Sequence, residues 1–204
     1  MHLVPTQAEV VGLLRQSRAL RDGHFEYPNG LHSNEYMQTV LALRYYQTLK
    51  TLSVGLSRLL RANSEIRAMI SELSIVCPDT GGSPLAYGVC EALRAHQAYW
   101  AEREGPDQAM RFPQFLEQVP GEKVLMVDDI LRSGKKLSEL KQLLESRGAQ
   151  VVGLAVMVYQ PTPKTMNFDP LPFYYLAKLD AMYYQDASSC DLCRKDMPIE
   201  KVWT

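Results

Sequence analysis

Two adjacent carboxylates, Asp128 and Asp129, close the run VLMVDD, and Arg132, Ser133, Gly134, Lys135 and Lys136 follow within a few residues. Like charges side by side repel unless a cation or hydroxyl donors offset them. The pair therefore reads as a grip on a hydroxylated or cationic group rather than a mere strand end. The segment 132–136 opens a helical pattern. Amides at a helix start favour anions, Ser133 adds a hydroxyl, and the basic side chains add charge-assisted bonds. Cations in a first turn oppose the helix dipole unless an anion is present. A second loop, Thr80-Gly81-Gly82, also suits an anion, because glycine lets backbone amides approach a ligand closely. Two such loops after two strands point to a ligand that carries phosphate.

The elements that must position these residues follow from periodicity. Residues 124–128 and 73–77 form short apolar runs with no alternation, the pattern of parallel strands covered on both faces. Residues 98–101, 151–159 and 173–179 read as further strands. Helical faces run over about 43–60, from the Gly-Gly loop to about 95, and over 136–147, where Leu137, Leu140, Leu143 and Leu144 share one side. Thr6 and Glu9 stand at capping-box spacing before a first helix. Pro28, Asn29 and Gly30 mark the turn of a hairpin within 23–38. Residues 102–121 show no period, and a long loop of this kind in a compact domain is often a functional lid. Strands alternating with helices imply α/β architecture with a central parallel sheet. Ligands of such sheets sit beyond the carboxyl ends of the strands, where both loops fall.

Several chemistries are excluded. Gly134-Lys135-Lys136 lacks the earlier glycine and the Lys-Ser/Thr pair of a Walker loop. A receiver domain places its acidic strand near its start, whereas here it lies past the middle. The chain has 204 residues and a net charge of -1, with a pI near 6.4. No basic surplus marks a nucleic-acid or membrane-surface partner. No apolar run reaches the ~18 residues of a membrane span. The opening MHLVPTQAEVV lacks the basic start and long apolar core of a secretion signal, so a cytoplasmic home is expected. Cys190 and Cys193 have the spacing of half a zinc site. With no second cysteine pair, they read as two reduced thiols in a tail. His24 and His32, in the hairpin, read as structural hydrogen-bonding side chains. The tyrosine pairs at 45–46, 174–175 and 183–184 read as core or subunit contacts.

The segment VLMVDDILRSG resembles the phosphoribosyl diphosphate (PRPP) signature of the type I phosphoribosyltransferases. GHFEYPNGLHSNEYMQ, DTGGSPLAYGV, YWAERE with Met110-Arg111-Phe112, and the tail Cys190-Asp191-Leu192-Cys193 with Met197-Pro198 resemble the orotate-using branch of that family, in the same order along the chain. The resemblance implies one domain over 1–204: a core of about 41–169, a hood from about 1–40 and 170–204, and a flexible loop of about 102–121. It implies transfer of the phosphoribosyl group from PRPP to orotate, with Mg²⁺ held through PRPP and water near Asp128 and Asp129 rather than by direct protein ligands. Asp128, Asp129 and Arg103 would be catalytic. Arg132, Ser133, Gly134, Lys135, Lys136, Thr80, Gly81, Gly82 and Arg111 would bind PRPP with the two acids. Phe25, Ser33, Tyr36 and Gln160 would form the base side. A homodimer is expected, the loop reaching the neighbouring site. Arg132 and Lys136 stand where the family usually has hydroxyl residues. Gln160 stands where it often has an arginine thought to face the orotate carboxylate. A different nucleobase, or a non-catalytic PRPP- or nucleotide-binding regulator on the same fold, stays open.

Overall fold

Residues 73–77, LSIVC, form a strand in which every position is buried. That strand, β3 (Leu73–Cys77), lies inside a five-stranded sheet with β4 (Gln97–Trp100), β5 (Lys123–Leu131), β6 (Gln150–Tyr159) and β7 (Phe173–Lys178), in the spatial order β4-β3-β5-β6-β7. All four pairings are parallel. The computed structural model describes residues 4–103, 105 and 108–202. Glu104 of the YWAERE motif, Pro106 and Asp107 of the 102–121 loop, and the hood's expected ends at 1–3 and 203–204 lie outside the described residues.

Helices cover both faces of this sheet. α1 (Gln7–Gln16) begins with the reciprocal Thr6/Glu9 capping box expected from their spacing. The apolar pattern over 43–60 resolves into α2 (Val40–Leu43) and α3 (Tyr46–Ala62). Leu52, Leu56 and Leu60 line one face of α3 at a spacing of four and are fully buried. Each such burial is worth about 1.5–3 kcal/mol. α4 (Ser64–Met69), capped by the Asn63 side chain, was not foreseen. α5 (Ser83–Leu93) follows β3, and α6 (Lys135–Ser146) follows β5. Leu137, Leu140 and Leu144 bury the apolar face of α6.

Two features differ from the sequence expectation. β5 runs on through Leu131 instead of ending at the acids, because β6 keeps pairing with it at Ile130↔Val158 and Leu131↔Tyr159. β3, on the other side, has its last pairing with β5 at Val76↔Met126. The acids thus stand where one neighbour has ended and the other continues, which opens an edge beside them. In addition, residues 173–178 belong to the parallel sheet, so the C-terminal share of the hood starts later than 170.

A second sheet has the order β8-β2-β1-β9, built from β1 (Leu20–Glu26), β2 (His32–Met37), β8 (Tyr183–Tyr184) and β9 (Glu200–Lys201). β1 and β2 form the expected hairpin, with Gly30 at φ +80 in its turn. Phe25, Tyr27, Tyr36 and Val202 make the small core of this sheet. The tail is not loose. Cys190 is fully buried and immediately precedes the short helix α7 (Asp191–Arg194), and Cys193, within that helix, is half-buried. Both sulfurs lie against the hairpin histidines. Both tail thiols are free, as expected, and tertiary contact adds what sequence spacing does not show, the two hairpin histidines beside them.

Candidate active site

The strand order reverses at β3 and β5: the chain leaves β3 for one edge of the sheet and returns to build the other from β5 outward. Loops leaving adjacent strands in opposite directions create a crevice at their carboxyl ends. Here that crevice is a cleft of about 560 Å³. Asp79, Thr80 and Gly81 line it from the β3 side, residues 128–137 from the β5 side, and residues 36–40 close it from the hood.

α5 and α6, the two helices that start at the cleft from the parallel sheet, lack a side-chain cap and have no acid in the first turn. The first four amides of a helix need partners. α1 and α4, away from the cleft, take theirs from Thr6 and Asn63. The starts of α5 and α6 are instead suited to an anion from outside. Gly134 opens α6 at φ +78, a region that favours glycine. Gly82 is needed for space, since a Cβ there would lie 2.6 Å from Asp128 Oδ1. The Gly-Gly loop and the acid pair are therefore packed as one unit.

Asp128 is 6% exposed. Burial, followed by the charges of Asp129 and Asp79, pushes it well above the usual carboxylate range. The Asp129 amide donates to Asp128 Oδ1 (2.9 Å), and the Ile130 amide donates to Asp129 Oδ1 (2.8 Å). Thr39 precedes α2, yet its hydroxyl donates to Asp129 Oδ2 rather than capping that helix. Lys136 reaches across the cleft to Asp79 and so ties the two anion loops together. Burial works to raise Asp79, but bonds from Lys136 and from the Gly81 and Gly82 amides outweigh it and hold Asp79 below its ordinary value. Burial likewise works against the Lys136 charge, and Asp79, Asp128 and Asp129 together hold its pKa up.

Asp128, Asp129, Arg132, Ser133, Gly134, Lys135, Lys136, Thr80, Gly81 and Tyr36 all line the cleft. Arg132 departs from its expected role. It turns from the phosphate loop toward the hood, where Nε donates to Gln160 Oε1 (2.9 Å) and Nη2 to the Met37 carbonyl (3.1 Å). Gln160 is 1% exposed, and the Tyr183 hydroxyl also donates to its Oε1 (3.1 Å). Its Nε2 donates to Glu35 Oε2 (3.4 Å). A guanidinium thus stands beside position 160, carried by Arg132 just past β5, with buried Gln160 as its hydrogen-bond partner. Burial pushes nearby Tyr27 up to about 12 despite Arg132, so that phenol stays neutral. Phe25 and Ser33, expected to shape the base side directly, are buried at 1% and 0% exposure and do not line the cleft. Phe25 packs on Tyr36 and acts on the cleft only through it.

The arginines expected on a closing loop are placed elsewhere. Arg103 pairs with Glu139 on α6. Arg111 exchanges two backbone bonds with Glu102 and lines a separate groove with Arg147. Buried Met110, and Phe112 edge-on to Tyr99, hold this part of the loop down against β4. Sequence reading missed Thr39 and Asp79. Asp79 had a signal, an acid just before Gly-Gly at a strand end. Thr39 had none, because nothing local links it to Asp129, ninety residues on.

The profile of the phosphoribosyl transferase domain family matches residues 56–167. The chain is 33% identical to the orotate phosphoribosyltransferase of Carboxydothermus hydrogenoformans over 189 residues, covering 93% of each. It is 32% identical to that of Thermotoga maritima, covering 93% of this chain and 94% of the relative. Among solved structures, the orotate phosphoribosyltransferase of Aeropyrum pernix superposes with a TM-score of 0.64 at 20% identity, over 83% of this chain and 93% of that one. An adenine phosphoribosyltransferase from Thermoanaerobacter pseudethanolicus gives 0.57 at 15% identity, over 71% of this chain and 88% of that one. The fold of the cleft is thus shared by proteins named for different bases.

Proposed function

We propose that this chain, which belongs to the orotate phosphoribosyltransferase family, transfers the phosphoribosyl group of PRPP to orotate, giving orotidine monophosphate and diphosphate. The observation that carries this reading is the cleft itself: two uncapped helix starts flank a buried acid pair. A sugar with a phosphate at each end has the complementary pattern.

Departure of diphosphate from C1 leaves an oxocarbenium-like ribose, so the protein must stabilise separated charge. Asp128 and Asp129 would accept bonds from the ribose hydroxyls and offset the cationic ring, with Thr39 holding Asp129 in place. Amides from Ser133 to Lys136 would take the 5-phosphate. Thr80, Gly81 and Gly82 would take the diphosphate, and Lys136 would exchange Asp79 for a phosphate oxygen. The cleft's acidic donors are all oxygens, and Asp128 resists ionising beside two other carboxylates. This chemistry fits Mg²⁺, a hard cation that prefers oxygen and keeps much of its water. Bound with PRPP near Asp128 and Asp129, the ion would neutralise the diphosphate.

Arg132 is our candidate for the group that faces the orotate carboxylate, because it lines the cleft and is anchored on Gln160 and Met37. Arg103 and Arg111 would serve the leaving group only after the loop leaves its contacts with Glu139 and Tyr99. Such closure would exclude water from the ribosyl cation, and a homodimer with the loop shared between subunits accords with it. The test is turnover of orotate with PRPP and Mg²⁺, set against adenine, guanine and uracil. Orotate is expected to be consumed in preference. A purine or uracil preference would overturn the choice of base, and PRPP binding without turnover of any base would overturn the enzyme.

A further inference from the structure

The second concentration of chemistry in the molecule lies in the hood, where four side chains from opposite ends of the chain converge. His24 Nε2, His32 Nδ1, Cys190 Sγ and Cys193 Sγ all lie within 4.8 Å of one another. The two imidazole nitrogens are 2.9 Å apart. Both sulfurs are 3.6 Å from His24 Nε2, and Cys193 Sγ is 3.4 Å from His32 Nδ1. We propose that these four residues bind one Zn²⁺ in a closed, structural Cys₂His₂ site that fastens the C-terminal tail to the β1–β2 hairpin.

Geometry argues for this first. Tetrahedral zinc has bonds of about 2.0–2.1 Å to nitrogen and about 2.3 Å to sulfur, which sets edges of about 3.4 Å between nitrogens and about 3.6 Å between nitrogen and sulfur. Three of the four sulfur–nitrogen distances already match, and the imidazoles need part by only about half an ångström. The backbone aims each ligand. A bulge in β1, where pairing jumps from Asp22↔Glu35 to Phe25↔Ser33, sets Gly23 and His24 against the single residue Asn34. Bulges of this kind redirect a side chain. Gly23 belongs to the same bend, since a Cβ there would lie 2.9 Å from the Phe25 ring. Cys190 and Cys193 sit three residues apart at α7, on one side of that turn.

A backbone carbonyl sets the tautomer of His24. The Met197 carbonyl can only accept, so the 2.9 Å contact places the proton of His24 on Nδ1. Its Nε2 lone pair then faces the sulfurs. A backbone carbonyl on the far nitrogen is the usual support of a metal-bound histidine. His24 and His32 are 3% and 4% exposed, and Cys190 is fully buried. Without an ion, His32 Nδ1 would donate to His24 Nε2 across their 2.9 Å contact, and the two thiols beside them would have only weak bonds to these nitrogens. Thiolate with imidazole in a tetrahedral set selects zinc among common divalent ions, and four protein ligands leave no open position for catalysis. The site lies next to β9, which pairs with β1 at Phe25 and Glu26 and brings Val202 into the hood core. It closes a span of 166 residues between His24 and Cys190.

The inference is independent of the phosphoribosyl reaction and is tested without an activity assay. Full-length protein purified without chelator should carry about one zinc per chain by elemental analysis. Cys190→Ser/Cys193→Ser should carry almost none while keeping the wild-type circular dichroism. Should that variant fail to fold, the wild-type chain decides: metal-stripped, reduced protein titrated with Co²⁺ should develop the intense visible bands and sulfur charge-transfer absorption of a tetrahedral cobalt–thiolate centre. Wild-type protein that binds neither Zn²⁺ nor Co²⁺ would overturn the proposal. So would a pale octahedral cobalt spectrum, zinc retained by a folded double variant, or a native Cys190–Cys193 disulfide.

Discussion

The cleft and the hood cluster each gather polar groups in a largely buried place, but they handle charge in opposite ways. In the cleft, burial and two neighbouring carboxylates push Asp128 above the usual carboxylate range, and two helix starts lack caps. The hood cluster has four ligand atoms that face one another, with His24 held from behind by Met197. An arrangement left incomplete by its own chain is suited to a ligand that comes and goes. One completed by its own chain is suited to an ion that stays. Both lie where segments distant in the sequence meet, so remoteness in the chain does not separate them. The balance of donors and acceptors does.

Asp129→Asn tests the cleft side of this contrast most severely. It removes charge that matters chiefly when the ribosyl cation forms, so kcat should fall roughly 10²–10³-fold while the melting temperature barely moves. A loss confined to KM would mean that Asp129 binds substrate without stabilising the transition state. Arg132→Gln should raise KM for orotate about tenfold or more, the worth of a charge-assisted hydrogen bond, and leave KM for PRPP nearly unchanged. The opposite split would return Arg132 to the phosphate loop.

Stability supplies a finer test. A raised folded-state pKa means that the native chain binds a proton more tightly at Asp128 than the unfolded chain does. The group's contribution to stability then falls as pH rises from the ordinary carboxylate range toward the raised value. Asp128→Asn removes that penalty. At pH 7.5 the ligand-free variant should melt about 2–4 °C above wild type, the shift expected for roughly 1 kcal/mol in a chain of this size. The gap should close toward pH 4, and activity should be lost. A variant less stable at every pH would show that the carboxylate is satisfied in the free protein. The smallest effect is expected at a cap that the chain completes for itself: Thr6→Ala should cost about 1 kcal/mol in denaturant unfolding with no change in turnover.

Much of this was legible in the sequence because it rests on local pattern. The buried strands at 73–77 and 151–159, the α1 capping box, the hairpin turn and the loops at 80–82 and 132–136 all depend on residues close together in the chain. The acids were legible too, since two adjacent carboxylates after an apolar run are unusual by themselves. The direction of Arg132 was not, because it depends on Gln160 and Met37, which arrive from β6 and from the end of β2. The role of Thr39 and the completion of the Cys190/Cys193 pair by His24 and His32 were hidden for the same reason.

By itself, then, the order of residues determined the main strands and helices, the two loops that line the cleft and the acid pair between them, because hydrophobic period, turn chemistry and helix starts act over a few residues. The tertiary structure alone decided which side chains meet across the cleft and under the hood. Pairing of β3, β5 and β6 set where the acids stand, and a single bulge in β1 set where His24 points. Contacts of that kind depend on strand register and on packing between segments far apart in the chain, 90 residues for Thr39 and Asp129 and 166 for His24 and Cys190, which no local spacing encodes.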